Sequence, residues 1–121
     1  MNNAIYTDNA GHALQGHDAV AYFTIGAPTK GDPAISLEWQ GATWLFASEH
    51  NRAAFESEPT RYAPAFGGHC AVAQVLGANL PGSPKRWRIE DGQLYINKNL
   101  VAATMFGPFS GRIRKLAERD S

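Results

Sequence analysis

The chain has a single cysteine among its 121 residues, Cys70. A lone cysteine cannot close an internal disulfide, so no cross-link holds the fold. No Cys-x-x-Cys or His-x-x-x-His pair is present either, so a closed structural zinc site is not expected. Net charge is also missing: eleven Lys and Arg balance eleven Asp and Glu. No overall field draws the protein to nucleic acid or to an anionic membrane. No apolar run approaches the roughly 20 residues needed to span a bilayer, so membrane insertion is not expected. The opening Met1-Asn-Asn-Ala-Ile-Tyr-Thr-Asp8 lacks the basic start and apolar stretch of a signal peptide, which makes the cytoplasm the default compartment. Internal repeats and low-complexity linkers are absent, as are the G-x-S-x-G, P-loop and dinucleotide fingerprints.

What is present suffices for one core. The chain is 44% hydrophobic and holds three Trp, four Tyr and six Phe. At this length it fits one domain. Residues 1–12 are polar and read as an irregular lead-in, and 13–121 as the domain with a C-terminal helical extension. The basic clusters Lys85-Arg86-Arg88 and Arg112-Arg114-Lys115 read as solvated surface charge, because no stacking aromatics alternate with charge in the second.

Local patterns predict an α+β chain of small antiparallel hairpins packed with helices. Asp18 is placed to cap a short helical turn over Ala19–Phe23. Ile35-Ser-Leu37-Glu-Trp39 alternates as a half-buried strand does, and Thr43–Phe46 follows the Gln40-Gly41 turn as its partner. Ser48 suits the N-cap of a helix over about Glu49 to Glu56, which Pro59 stops. Trp87–Ile89 and Leu94–Ile96 flank Asp91-Gly92, a hairpin turn that needs positive φ. The tail from Asn99 reads as two helical stretches interrupted around Gly107-Pro108, the last presenting Ile113, Leu116 and Ala117 on one face.

The richest segment is Tyr62-Ala-Pro-Ala-Phe-Gly-Gly-His69-Cys70. Its glycines suit a sharp entry into a helix over Ala71–Leu76, with Gly77 as the stop. Cys70 would then sit in the first turn, where free N–H groups and the helix dipole favour thiolate. Burial among Tyr62, Phe66 and Val72 acts the other way. An open metal site would join Cys70 and His69 with one of His17, Asp18 or His50. Thiolate with imidazole suits copper or zinc better than magnesium or calcium. Each residue also has a plain reading. Cys70 can be a buried packing residue, His69 a donor to a carbonyl, His17 a loop residue, His50 a solvent-facing one and Asp18 only a cap. Tyr22 and Tyr62 can form the polar edge of a small-ligand pocket or belong to the core. A thiol enzyme would use Cys70 with His17 as base, because sequence neighbours on a helix diverge by about 100°.

Several motifs in order resemble the YHS domain family, in its stand-alone bacterial branch. They are Gly16-His-Asp18-Ala-Val-Ala-Tyr22-Phe23, then Gly41-Ala-Thr-Trp-Leu-Phe46-Ala-Ser48, then Pro59-Thr-Arg-Tyr62-Ala-Pro64, then Gly67-Gly68-His69-Cys70-Ala71, and finally Asp91-Gly-Gln-Leu94-Tyr95-Ile-Asn97. The resemblance covers about residues 14–98. It implies a treble-clef-like core and a metal-binding setting. In the metal-binding branch two thiolates stand where this chain has Ala47 and His50 or Asn51. The thiol beside an imidazole keeps one candidate site near Cys70, for a metal ion of the copper or zinc class or for a small molecule. Two further readings stay open: a thiol-dependent enzyme or redox sensor using Cys70, and a protein-interaction module without a small-molecule site.

Overall fold

A computed structural model describes residues 4–120. Its described part is α+β, with two antiparallel hairpins and five α-helices. In chain order these are α1 (Ala21–Thr24), β1 (Asp32–Trp39), β2 (Ala42–Phe46), α2 (Glu49–Ser57), α3 (Pro59–Tyr62), α4 (Ala71–Val75), β3 (Ser83–Glu90), β4 (Gln93–Asn97) and α5 (Leu100–Asp120).

Both hairpins turn as their sequences require. Gln40-Gly41 and Asp91-Gly92 all have positive φ, the signature of the turn whose twist matches the strands it joins. Trp87 pairs with Ile96, Arg88 with Tyr95 and Ile89 with Leu94, as expected. Each long strand carries an irregularity near its start, between Asp32 and Ser36 and between Ser83 and Trp87. Ser48 caps α2 by accepting from the Asn51 amide at 3.1 Å. Gly77 ends α4 as expected. The Gly77 amide bonds Gln74 O and the Ala78 amide bonds Ala73 O, the paired closure that satisfies the last carbonyls of a helix.

Two expectations need correction. Pro59 does end α2, but it also opens α3, where its locked φ and missing N–H suit the first helical position. Residues 4–12 form no helix or strand and are pinned to the domain. Tyr6 N bonds Gly67 O at 2.9 Å, Thr7 bridges Ala13 and His12 bridges Thr43; residues 1–3 lie outside the described part. The tail is one helix, α5, running through Pro108. Pro108 sits on its exposed face, where water can take the carbonyl that the ring leaves without a donor.

β4 organises the packing. Gln93 is half-buried, while Leu94, Tyr95, Ile96 and Asn97 are all buried, so both faces of the strand are covered. Leu94 and Ile96 point to a first core with Tyr22, Trp44, Phe46 and Phe55. Tyr95 points to a second, with Phe66, Cys70, Val72, Phe106 and Ile113. The period-two alternation of a strand thus serves two cores at once. α4 and α5 form the far wall of the second.

Candidate functional site

Cys70 sits at the N-cap of α4 with 1% of its surface exposed. Its own amide bonds Leu80 O at 2.8 Å, and it bridges Ile96 of β4. The sulfur lies 3.9 Å from Asn97 Oδ1, the distance of a weak S–H donor contact. Asn97 Oδ1 also accepts from the Val72 amide at 3.3 Å. A side chain from β4 therefore caps α4 in place of Cys70. The expected α4 also ends one residue early, at Val75.

The segment before Cys70 is held by close backbone approach. Gly67 has φ +65°, and an added Cβ would stand 2.3 Å from Ala4 O. Only glycine fits that combination. It lets the lead-in cross Gly67 and holds His69, whose Nδ1 is 2.7 Å from Phe66 O and whose ring meets Tyr6 edge-on at 5.6 Å.

Two more of the expected ligands are likewise committed to the fold. His17 Nδ1 is 3.1 Å from Leu14 O. Asp18 is fully buried and accepts four hydrogen bonds: from the amides of Val20 (2.9 Å), Ala21 (3.2 Å) and Ala47 (2.8 Å), and from Asn51 Nδ2 (2.8 Å). It starts α1 and ties that turn to the end of β2 and to α2. His50 is exposed. Among the described residues no three His, Cys, Asp or Glu side chains are grouped to hold a metal ion. Cys70, His69, His17 and Asp18 do not converge.

Tyr22 and Tyr62 belong to the first core instead of a pocket. Tyr22 is 1% exposed, donates to Pro84 O at 2.7 Å and packs on Trp87. Burial raises its pKa far above the ordinary tyrosine value. Tyr62 is half-buried and meets Phe23 edge-on at 5.4 Å.

A cleft opens elsewhere, between the Asp91-Gly92 turn and the C-terminal half of α5. It encloses about 210 Å³ and is lined by Glu90, Asp91, Gln93, Tyr95, Arg114, Ala117 and Glu118. No family model, curated protein or solved structure matches the chain.

Register explains the contents of the cleft. Arg88 and Tyr95 are directly paired, so Arg88, Glu90 and Tyr95 share the hairpin face that looks toward α5. The Arg88 guanidinium lies 4.7 Å from the Phe106 ring centre, and its Nε is 2.8 Å from Glu90 Oε2. That N–H does not point at the oxygen: Glu90 Oε2 is buried without an aligned hydrogen bond. Arg114 Nη1 reaches Asp91 Oδ2 at 3.0 Å and Glu90 Oε1 at 3.9 Å. The Tyr95 ring packs edge-on against Phe106 at 5.2 Å. Its pKa is raised, first by burial and then by the negative charge of Glu90, with Arg114 pulling the other way.

Sequence reading passed over this site. In the sequence Arg114 reads as surface charge, Tyr95 as a strand residue and Asp91 as a turn former. The available signal was the polar Tyr95 between Leu94 and Ile96 on a strand buried on both sides, because a buried hydroxyl ordinarily finds a partner.

Proposed function

We propose that this chain is a YHS-like binding domain without catalytic chemistry, and that its small-ligand site is the cleft beside Tyr95. Cys70 serves the same core from within, as a structural thiol. The observation that carries this reading is Tyr95 itself. It is 2% exposed, and it is the one aromatic side chain in the lining of the cleft. The residues first expected to bind a ligand already have partners inside the fold.

Copper or zinc at Cys70 with His69 or His17 has no supporting convergence of ligands. A thiol enzyme or redox sensor needs a sulfur that a partner can reach. Two measurements test the proposal. Alkylation of Cys70 should be far slower in folded than in unfolded protein at every pH, and protein purified without a histidine tag should carry no stoichiometric copper or zinc that Cys70→Ser removes. Fast alkylation, or stoichiometric metal lost in Cys70→Ser, would return the site to Cys70.

One further observation favours an interaction module. Residues 99–111 carry no charge, and Leu100 and Val101 are 62% and 69% exposed on α5. The occupant this pattern fits is a second copy. Antiparallel pairing about Met105 sets 99–111 of one chain on 99–111 of its mate, so no charge is buried, and a net charge of zero opposes no self-association. Light scattering at rising concentration should then show a dimer that Val101→Glu abolishes; a monomer throughout removes this reading.

A further inference from the structure

We infer that the outer edge of β3 takes an extended acidic segment of a partner protein as an added strand. The inference is independent of the cleft and of the exposed α5 face.

Register fixes which backbone groups are free. Asp91-Gly92 is a two-residue turn, so the flanking pair Glu90–Gln93 exchanges hydrogen bonds, and the pattern alternates from there. Glu90 and Arg88 turn their N–H and C=O groups toward β4. Ile89 and Trp87 turn theirs away from it. The sheet has only these two strands. Among the described residues no other segment bridges β3 or bonds the backbone of residues 85–89. The other strand edges differ. Thr43 of β2 is bonded on its outer side by Gly11 and Ala13, Cys70 bridges Ile96 of β4, and Arg52 reaches Ser36 O of β1.

Charge names the partner. Lys85, Arg86 and Arg88 are all exposed along the open edge. Arg88 is engaged by Glu90 and by the Phe106 ring. Lys85 and Arg86 make no ion pair among the described residues. They lie in the irregular stretch between Ser83 and Trp87, where β3 has no paired residue on β4.

Such an edge repels a second copy of itself. Antiparallel pairing about Trp87 would set Arg86 against the mate's Arg88, the like-charge contact by which edges avoid one another. The same cations attract a strand that carries carboxylates at alternate positions. A phosphate chain would meet the cations but brings no donors for the outward carbonyls. An acidic strand supplies both donors and acceptors for the edge, together with the charge.

The test is an NMR titration of the ¹⁵N-labelled full chain with four probes. The first is a capped ten-residue peptide of alternating Glu and Val, and the second alternates Lys and Val. The third is the Glu peptide N-methylated at its four central residues, so that both of its edges lose donors. The fourth is a ten-nucleotide oligothymidylate. The Glu peptide should move the amides of Lys85–Ile89 saturably and slow the exchange of the Trp87 and Ile89 amides with solvent. Salt should weaken it, because the paired charges are exposed. N-methylation should weaken it about tenfold or more, the value of two neutral hydrogen bonds. Lys85→Glu with Arg86→Glu changes only exposed side chains. It should weaken the Glu peptide about tenfold and let the Lys peptide bind instead. The inference is overturned if the Lys peptide binds wild type as tightly, if N-methylation changes nothing, if the oligothymidylate moves these amides at lower concentration, or if no probe moves them.

Discussion

Asp18 is the residue on which most of the first core depends. Four N–H donors from three parts of the chain end on one carboxylate. Removing it leaves those donors without a partner in a dry interior, which costs far more than the bonds add. Asp18→Ala should lower unfolding free energy by about 3–5 kcal/mol, read from urea unfolding. Asp18→Asn should cost nearly as much, because one of its two positions turns from acceptor to donor and faces Ala47 N or Asn51 Nδ2. A mild effect of either variant would mean that water replaces the carboxylate. Tyr22 carries a prediction about pH. Its raised pKa means that the fold keeps the phenol neutral while the unfolded chain ionises near the ordinary value. The stability from Tyr22 is therefore complete below about pH 10 and is lost as pH rises further. Tyr95 is shifted in the same direction and adds to the slope. Tyr22→Phe should show a shallower loss of stability than wild type between about pH 9 and 11. It should also start about 1–2 kcal/mol lower, because Pro84 O loses its donor.

At the scale of elements, α5 is where local reasoning and the fold part company. Gly107-Pro108 breaks a helix by propensity, yet α5 runs through it, because Phe106 and Ile113 are both fully buried on one face. Two anchors seven residues apart, about two turns, fasten both halves to the same core. The break then costs one exposed hydrogen bond rather than the helix. Pro108→Ala should accordingly stabilise the protein by about 1 kcal/mol or more, seen as a higher thermal midpoint. Were α5 two helices with Pro108 opening the second, the same change would be neutral or harmful. α3 departs from the sequence expectation for the related reason that a proline ending one helix can begin the next.

On the scale of the whole molecule, β4 joins two cores that have no other shared strand. Its amides should be among the slowest to exchange with solvent, because opening β4 exposes Leu94 and Ile96 on one side and Tyr95 on the other. Hydrogen exchange should therefore show Leu94–Ile96 protected to near the global stability, and the exposed turn at Asp91-Gly92 far less. Early exchange of β4 with β2 still protected would mean that the two cores unfold separately. The same arrangement explains how Cys70 and the cleft come to share one sheet. Asn97 holds the thiol at one end of β4, and Tyr95 reaches the cleft from two residues away.

The hairpin turns, the Ser48 cap, the Gly77 stop and the role of Asp18 as a cap were legible in the sequence. Each depends on dihedral preferences and hydrogen bonds among residues a few positions apart, and those forces act before the chain is folded. The fate of the polar side chains was not legible. Whether Cys70 is reachable depends on Asn97, 27 residues on. Whether Asp18 is available depends on Ala47 and Asn51, 29 and 33 residues on. Whether Tyr95 lines a cleft depends on where α5 lies across the hairpin. Local sequence determined which elements form and where they turn. Only tertiary packing decided which polar groups the fold consumes and which it leaves for a ligand, because burial and pairing between distant residues exist only once the elements have met.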